Sequence, residues 1–192
     1  MPTAASSSTA PITKRQRKLV LVGMTKDELG GSVYYKTKGH LGRNVPRVDH
    51  ALGRNVLHGV HRATEARCAL SAHDLSEGGL AVAVAEMAIG GRLGARIDLG
   101  AVPITGTLRP EQILFSESQS RILLEVAPDR LADLKANLHG VPFAVIGEVT
   151  KDTQLVFTHQ GRAVATLAVA DAARAWKRPL DLDGTLLAEE TR

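Results

Sequence analysis

The run Leu19-Val20-Leu21-Val22 is apolar at every position and ends at Gly23. A short apolar run closed by glycine reads as a buried strand. Residues 68–72, from Cys68 onward, read as a second buried strand. Between them a different period appears. Leu52, Val56, Val60 and Ala63 recur every three or four residues, the spacing of one helix face. Asp49 stands where the cap of that helix belongs. The Ala-rich stretch 80–89 reads as a helix that Gly90-Gly91 stops. Further strands are expected at 94–99, 121–126, 143–149, 154–159 and 163–168. A helical turn is expected at 110–115, a short helical piece at 171–176, and a helix opened by Pro128 with Leu131, Leu134 and Leu138 on one face. Residues 24–32 and 36–47 read as loops. Strands interleaved with helices, without an internal repeat, indicate an α+β domain of mixed α/β layers.

Composition narrows the function. At 192 residues the chain fits one domain with tails, and 44% hydrophobic residues suffice for a core. Aromatics make up 3%, too few for a base-stacking platform. The lone cysteine, Cys68, excludes an intrachain disulfide and a cysteine metal cluster. No run approaches ~18 apolar residues, so no membrane span is expected. The 24 Lys and Arg exceed the 20 Asp and Glu by four, and Lys14, Arg15, Arg17 and Lys18 account for that excess. The balance elsewhere argues against nucleic acid as a partner. Residues 1–18 are expected as a disordered basic tail, 19–178 as the folded domain, and 179–192 as a polar tail. No apolar leader precedes the domain, so a cytoplasmic protein is expected.

Three loops can carry chemistry. At His73-Asp74-Leu75-Ser76-Glu77-Gly78-Gly79 a strand meets a helix through polar residues and paired glycines. Glycines let backbone N–H groups approach a ligand, and a helix N-terminus favours an anion. Asp74 can bind a metal or a hydroxyl, or it can simply cap the helix. Gly30-Gly31-Ser32 is a second glycine loop after a strand, weaker by itself. Ser116-Glu117-Ser118-Gln119 is a polar cluster able to bind hydroxyls, an amide or metal-bound water, or to serve as a plain turn. His58 and His61 lie three apart on a helix without an acidic partner at that spacing and read as surface residues. Cys68 reads as a buried strand residue, not a nucleophile. No Walker loop, His-Glu-x-x-His pattern or nucleophile elbow is present.

Taken together, several strings carry a family resemblance. They are Thr25-Lys26-Asp27-Glu28-Leu29-Gly30-Gly31-Ser32, Ala72-His73-Asp74-Leu75-Ser76-Glu77-Gly78-Gly79-Leu80 and Leu114-Phe115-Ser116-Glu117-Ser118-Gln119-Ser120-Arg121. Ile146-Gly147-Glu148-Val149 and Ala175-Trp176 complete the set. In this order and spacing the chain resembles the phosphoribosylformylglycinamidine synthases, the formylglycinamide ribonucleotide amidotransferases of purine biosynthesis, over residues 19–178. The resemblance implies the C-terminal domain type of aminoimidazole ribonucleotide synthetase, a mixed sheet covered by helices. It points to the second such domain of the large subunit. The implied reaction is a ligation: ATP activates the substrate amide as an iminophosphate, and ammonia from glutamine displaces phosphate.

The same resemblance implies ATP or ADP and Mg2+ as cofactors of the complete enzyme. The implied partners are the remaining synthetase domains, a glutaminase domain or subunit, and a small accessory subunit. The implied substrate, nucleotide or phosphate site comprises Gly30, Gly31, Ser32, His73, Asp74, Ser76, Gly78, Gly79, Glu117, Ser118 and Gln119. No residue of this chain is assigned a catalytic role, and no metal ligand is assigned. The family's glutaminase motif and N-terminal-type synthetase domains are absent from this sequence. The chain is therefore expected to be a fragment, a truncated product or one piece of a split enzyme, inactive alone. The alternative is a noncatalytic nucleotide-binding or assembly module at the pseudo-symmetric site. Selenophosphate synthetase, thiamine-monophosphate kinase and the hydrogenase-maturation dehydratase share the superfamily, but the wording of 73–79 and 116–119 argues against them.

Overall fold

Strand β1 (Lys18–Val22) is wholly buried from Leu19 to Val22, and its period of two divides it between two cores. Leu19 and Leu21 join one cluster, Val20 and Val22 the other. A strand apolar on both faces must be covered on both sides. The rest of the architecture supplies that cover. In a computed structural model, which describes residues 17–180, the other strands are β2 (Ala69–Asp74), β3 (Gly94–Asp98), β4 (Ile122–Val126), β5 (Phe143–Thr150), β6 (Gln154–His159) and β7 (Arg162–Ala168). The helices are α1 (Val33–Thr37), α2 (His50–Glu65), α3 (Gly79–Gly91), α4 (Pro110–Phe115), α5 (Leu131–Asn137) and α6 (Val169–Lys177). The expected tails lie outside the described residues, except at 17–18 and 179–180.

The seven strands form one sheet in the order β2-β4-β1-β5-β3-β6-β7. Only β3 and β6 pair in parallel; every other neighbouring pair is antiparallel. The fold is α+β, a mixed sheet covered by helices. Leu80, Val84 and Met87 of α3, Ile113 and Leu114 of α4 and Val169 of α6 pack beneath Leu19 and Leu21. Val56 and Ala63 of α2 and Leu134 of α5 cover Val20 and Val22. The helix expected from the 52–63 spacing is α2, and Asp49 caps it by accepting the Leu52 N–H at 2.9 Å. Among the described residues no helix is long and apolar enough to cross a membrane.

Five expectations need correction. Strand β2 lies at the sheet edge, not in the interior: Leu70 is exposed, and only Ser71 of the strand is buried. Among the described residues its sole strand neighbour is β4, and the pairing slips between Ala69 and Ser71. Cys68 is buried, but just before the strand. Helix α3 runs through Gly90 and Gly91 and ends at Arg92, which takes the left-handed conformation at φ 53°. The loop expected at 36–47 begins inside α1, because the Ser32 side chain caps a short helix there. Lys18, assigned to the tail, is the first residue of β1, and its Nζ lies 2.8 Å from Glu148 Oε2.

Replacing Leu21 by Ala should destabilise the fold by about 2–5 kcal/mol, the range for emptying a buried leucine site. Val164→Ala on the exposed edge strand β7 should change stability by less than ~0.5 kcal/mol. Urea unfolding of both variants checks this; equal losses would contradict the placement of the core.

Candidate functional site

Helix α4 delivers the chain into a turn whose polar side chains face inward. Ser116 and Ser118 are both buried. The Ser116 hydroxyl donates to the Lys26 carbonyl at 2.7 Å, and the Lys26 N–H donates to Ser118 Oγ at 3.0 Å. The two hydroxyls lie 3.0 Å apart. This lashes the turn after α4 to the loop that leaves β1. Behind it sits Arg121, 1% exposed. Its guanidinium donates to the carbonyls of Ser118 and Ser116 and to the Thr25 hydroxyl. Burial pulls its pKa down to about 10, while Glu28 and Glu117 push it back up, so the group is charged at neutral pH.

Glu117 joins the three loops singled out in the sequence. Its Oε1 accepts the Gly78 N–H at 2.9 Å and the Val33 N–H at 3.0 Å. Gly78 opens α3, and Val33 opens α1 just after Gly30-Gly31-Ser32. Glu117 also donates its own N–H to the Glu28 carbonyl at 3.3 Å. The carboxylate thus occupies N–H donors that the sequence reading offered to a phosphate. A carboxylate on backbone N–H groups at a helix start is a favourable placement for negative charge.

Gly79 lets α3 come this close. Its φ is +61°, and a Cβ there would stand 2.3 Å from the Ser116 carbonyl oxygen. Across the site, Tyr34 stacks on Phe115 with ring centroids 4.5 Å apart. Asp27 accepts from Gln112 Nε2 at 2.7 Å and from Asn44 Nδ2 at 3.1 Å.

The remaining candidates divide by exposure. Gly31, Asp74, Ser76 and Gln119 are exposed, and Gln119 Nε2 donates to the Glu117 carbonyl at 3.3 Å. Gly30 and Ser32 are buried. The Gly30 N–H binds the Asn44 carbonyl at 2.7 Å, and the Ser32 hydroxyl donates to the Leu29 carbonyl at 2.7 Å. His73 turns away from the Glu117 centre toward α3, with Nε2 at 2.9 Å from Glu86 Oε2. Asp74 does not cap α3; the cap residue is Gly78, without a side-chain bond. His58 and His61 are exposed on α2.

Three residues at this centre stand in the motif strings but were not assigned to the site from the sequence: Thr25, Glu28 and Arg121. Glu28 is 7% exposed; its Oε1 accepts the Arg47 N–H at 3.1 Å, and its Oε2 has no partner among the described residues. One signal was available for Arg121. A cation at the seam between a polar turn and an apolar strand is placed to fold back on the carbonyls of that turn.

Residues 17–160 match the family model of the AIR synthase related protein, C-terminal domain, and the chain belongs to that family. It is similar to phosphoribosylformylglycinamidine synthase subunit PurL of Thermococcus sibiricus, 40% identical over 146 residues, covering 76% of this chain and 20% of that protein. With the Moorella thermoacetica protein of the same description it shares 41% over 166 residues, covering 84% and 22%. The family resemblance read from the motifs is borne out. The chain spans about a fifth of the length of these relatives.

Among solved structures it resembles T. maritima PurL complexed with FGAR, with a TM-score of 0.76 and 21% identity, covering 85% of this chain and 29% of that one. T. maritima PurL complexed with ATP gives a TM-score of 0.70 at 21% identity, covering 85% and 27%. PurLQS from Thermotoga maritima gives 0.74 at 23% identity, covering 85% and 27%. At these identities the likeness shows the fold.

Gly31 and Gly79 separate conformation from contact. Gly31→Ala, at φ +72° with open space around it, should cost about 1–2 kcal/mol for the left-handed backbone alone. Gly79→Ala should cost clearly more, because the methyl meets backbone at Ser116. Thermal unfolding of the two variants measures the difference, and equal losses would refute the close approach.

Proposed function

We propose that this chain is the C-terminal-type module of a phosphoribosylformylglycinamidine synthase, acting in purine biosynthesis in the cytoplasm. The observation that carries the reading is the convergence of its three motif loops on one carboxylate, Glu117. The complete enzyme would convert ATP, formylglycinamide ribonucleotide, glutamine and water into formylglycinamidine ribonucleotide, ADP, phosphate and glutamate. It belongs in this reading to the ligases that take nitrogen from glutamine. The remaining synthetase domains, a glutaminase domain or subunit and a small accessory subunit are the partners. The kinship with relatives about four times longer supports this division of labour.

The ligand-facing positions in this reading are Gly31, Asp74, Ser76 and Gln119, the exposed members of the candidate set. Gly30, Ser32, Gly78, Gly79 and Ser118 shape the loops beneath them, and His73 braces β2 against α3. A ligand phosphate that reaches the Gly78 N–H must displace the Glu117 carboxylate. Among the described residues no three His, Cys, Asp or Glu side chains group to hold a metal ion. The rival reading, a noncatalytic assembly module, has no observation of its own in its favour.

Reconstitution tests the proposal. The chain alone should form no amidine. Mixed with the missing synthetase domains of a relative, it should support ammonia-dependent formation of the amidine from formylglycinamide ribonucleotide and ATP. A soluble, assembled complex that stays inactive would defeat the reading.

A further inference from the structure

The strap between α1 and α2 carries the most exposed large apolar side chain of the described residues. Leu41 is 78% exposed, and Val45 and Val48 follow at 48% and 54%. On α2, Leu57 is 61% exposed and lines one groove with Val48. The apolar surface therefore continues from the strap onto the helix. Single apolar side chains on a surface are ordinary, but a continuous patch marks a place where something docks.

The strap does not fold inward because its backbone is pinned. The Gly31 N–H donates to the Leu41 carbonyl and the Gly30 N–H to the Asn44 carbonyl, both at 2.7 Å. The Arg47 N–H donates to Glu28 Oε1 at 3.1 Å, and Asn44 Nδ2 donates to Asp27 Oδ2 at 3.1 Å. The loop after β1 thus holds the strap along its length.

Charge adds a second property. Residues 33–48 hold Lys36, Lys38, Arg43 and Arg47, with His40, and no Asp or Glu. All four cations are exposed, and among the described residues none of them makes an ion pair. The patch is both apolar and positive, so its complement is a segment both apolar and negative.

This chain contains such a segment outside the described residues. Residues 181–192 hold Asp181, Asp183, Glu189 and Glu190 against Arg192, with Leu182, Leu186 and Leu187 among them. Residues 1–16 hold Lys14 and Arg15 without an acid, and like charges repel. Reach favours the same segment. Lys177, at the end of α6, lines one groove with Ile89 and Arg92 at the C-terminal end of α3. The other end of α3 lies at the Glu117 corner, where Glu117 also holds the Val33 N–H. Helix α3 has 13 residues and is about 20 Å long. Residues 181–192, fully extended, span up to about 40 Å.

We propose that residues 181–192 dock on the strap 38–48 of the same molecule, with Leu186 and Leu187 against Leu41, Val45 and Val48 and the flanking acids beside Arg43 and Arg47. Tethering supplies an effective concentration on the order of millimolar, so a contact too weak to hold a free peptide is populated within one chain. The docked segment covers the strap beside the exposed Gly31, and a partner that uses this face must displace it. The contact stands whether or not the synthetase reading does.

Paramagnetic relaxation in the full chain tests this. A nitroxide on Thr191→Cys labels one position, because Cys68, the other thiol, is buried. The label should broaden the amides of Leu41, Val45 and Val48 more strongly than those of any segment except α6, its own root. Raising the salt from about 0.05 M to about 0.5 M should remove most of that broadening, since exposed charges are screened. Arg43→Glu with Arg47→Glu should abolish it, and so should Leu186→Ser with Leu187→Ser. The second pair changes no residue of the described fold, so it keeps the test intact if the first disturbs the strap. Strap amides untouched by the label, or broadening that survives the Leu186 and Leu187 substitutions, would overturn the docking. Broadening indifferent to salt and to the Arg43 and Arg47 substitutions would overturn the role given to charge. A nitroxide-bearing chain mixed with an isotope-labelled chain that lacks the nitroxide should show no broadening. Broadening there would place the segment on a second copy and overturn the intramolecular contact.

Discussion

Arg121 places a full positive charge where water does not reach it, and the candidate site is arranged around making that tolerable. Removing such a charge from water costs several kcal/mol even after relaxation. The offset comes from two carbonyls of the turn 116–118, the Thr25 hydroxyl and the nearby carboxylates of Glu28 and Glu117. None of these can drift without stranding the cation. The turn after α4 and the loop after β1 are therefore held in one relative position. Glu117 inherits its place from that constraint, and from there it reaches the first N–H groups of α1 and α3.

The sheet supplies the frame for this arrangement. Strand β1 is central and apolar on both faces, so its C-terminal end is fixed from either side. The loop that carries Thr25, Lys26 and Glu28 leaves directly from it. Strand β4 begins right after Arg121 and pairs with both β1 and β2. The chain ends of three neighbouring strands thus feed the same corner, and the glycine loops meet there. Gly79 completes the corner because only a residue without a side chain lets α3 approach the Ser116 carbonyl.

What the sequence revealed and what it hid follow from range. Leu52, Val56, Val60 and Ala63 announce α2 because a helix face is a local pattern, and Asp49 caps it three residues from its partner. The glycine loops were legible as loops for the same reason. The bond from Glu117 to Val33 spans 84 positions, and that from Arg121 to Thr25 spans 96. No local period encodes either. Strand β2 misled because its apolar content resembles that of β1, while its place at the edge depends on pairing with β4. Asp74 misled because an acid before a glycine pair fits a cap; the left-handed Gly78 takes that position instead.

If Glu117 is the point where the loops meet, two distant backbone amides must share one acceptor. Amide hydrogen exchange at Gly78 and Val33, in the wild type and in Glu117→Ala, measures this most directly. The account predicts that both amides are protected in the wild type and lose protection together in the variant, while amides in β1 keep theirs. Unchanged exchange at either position would contradict it.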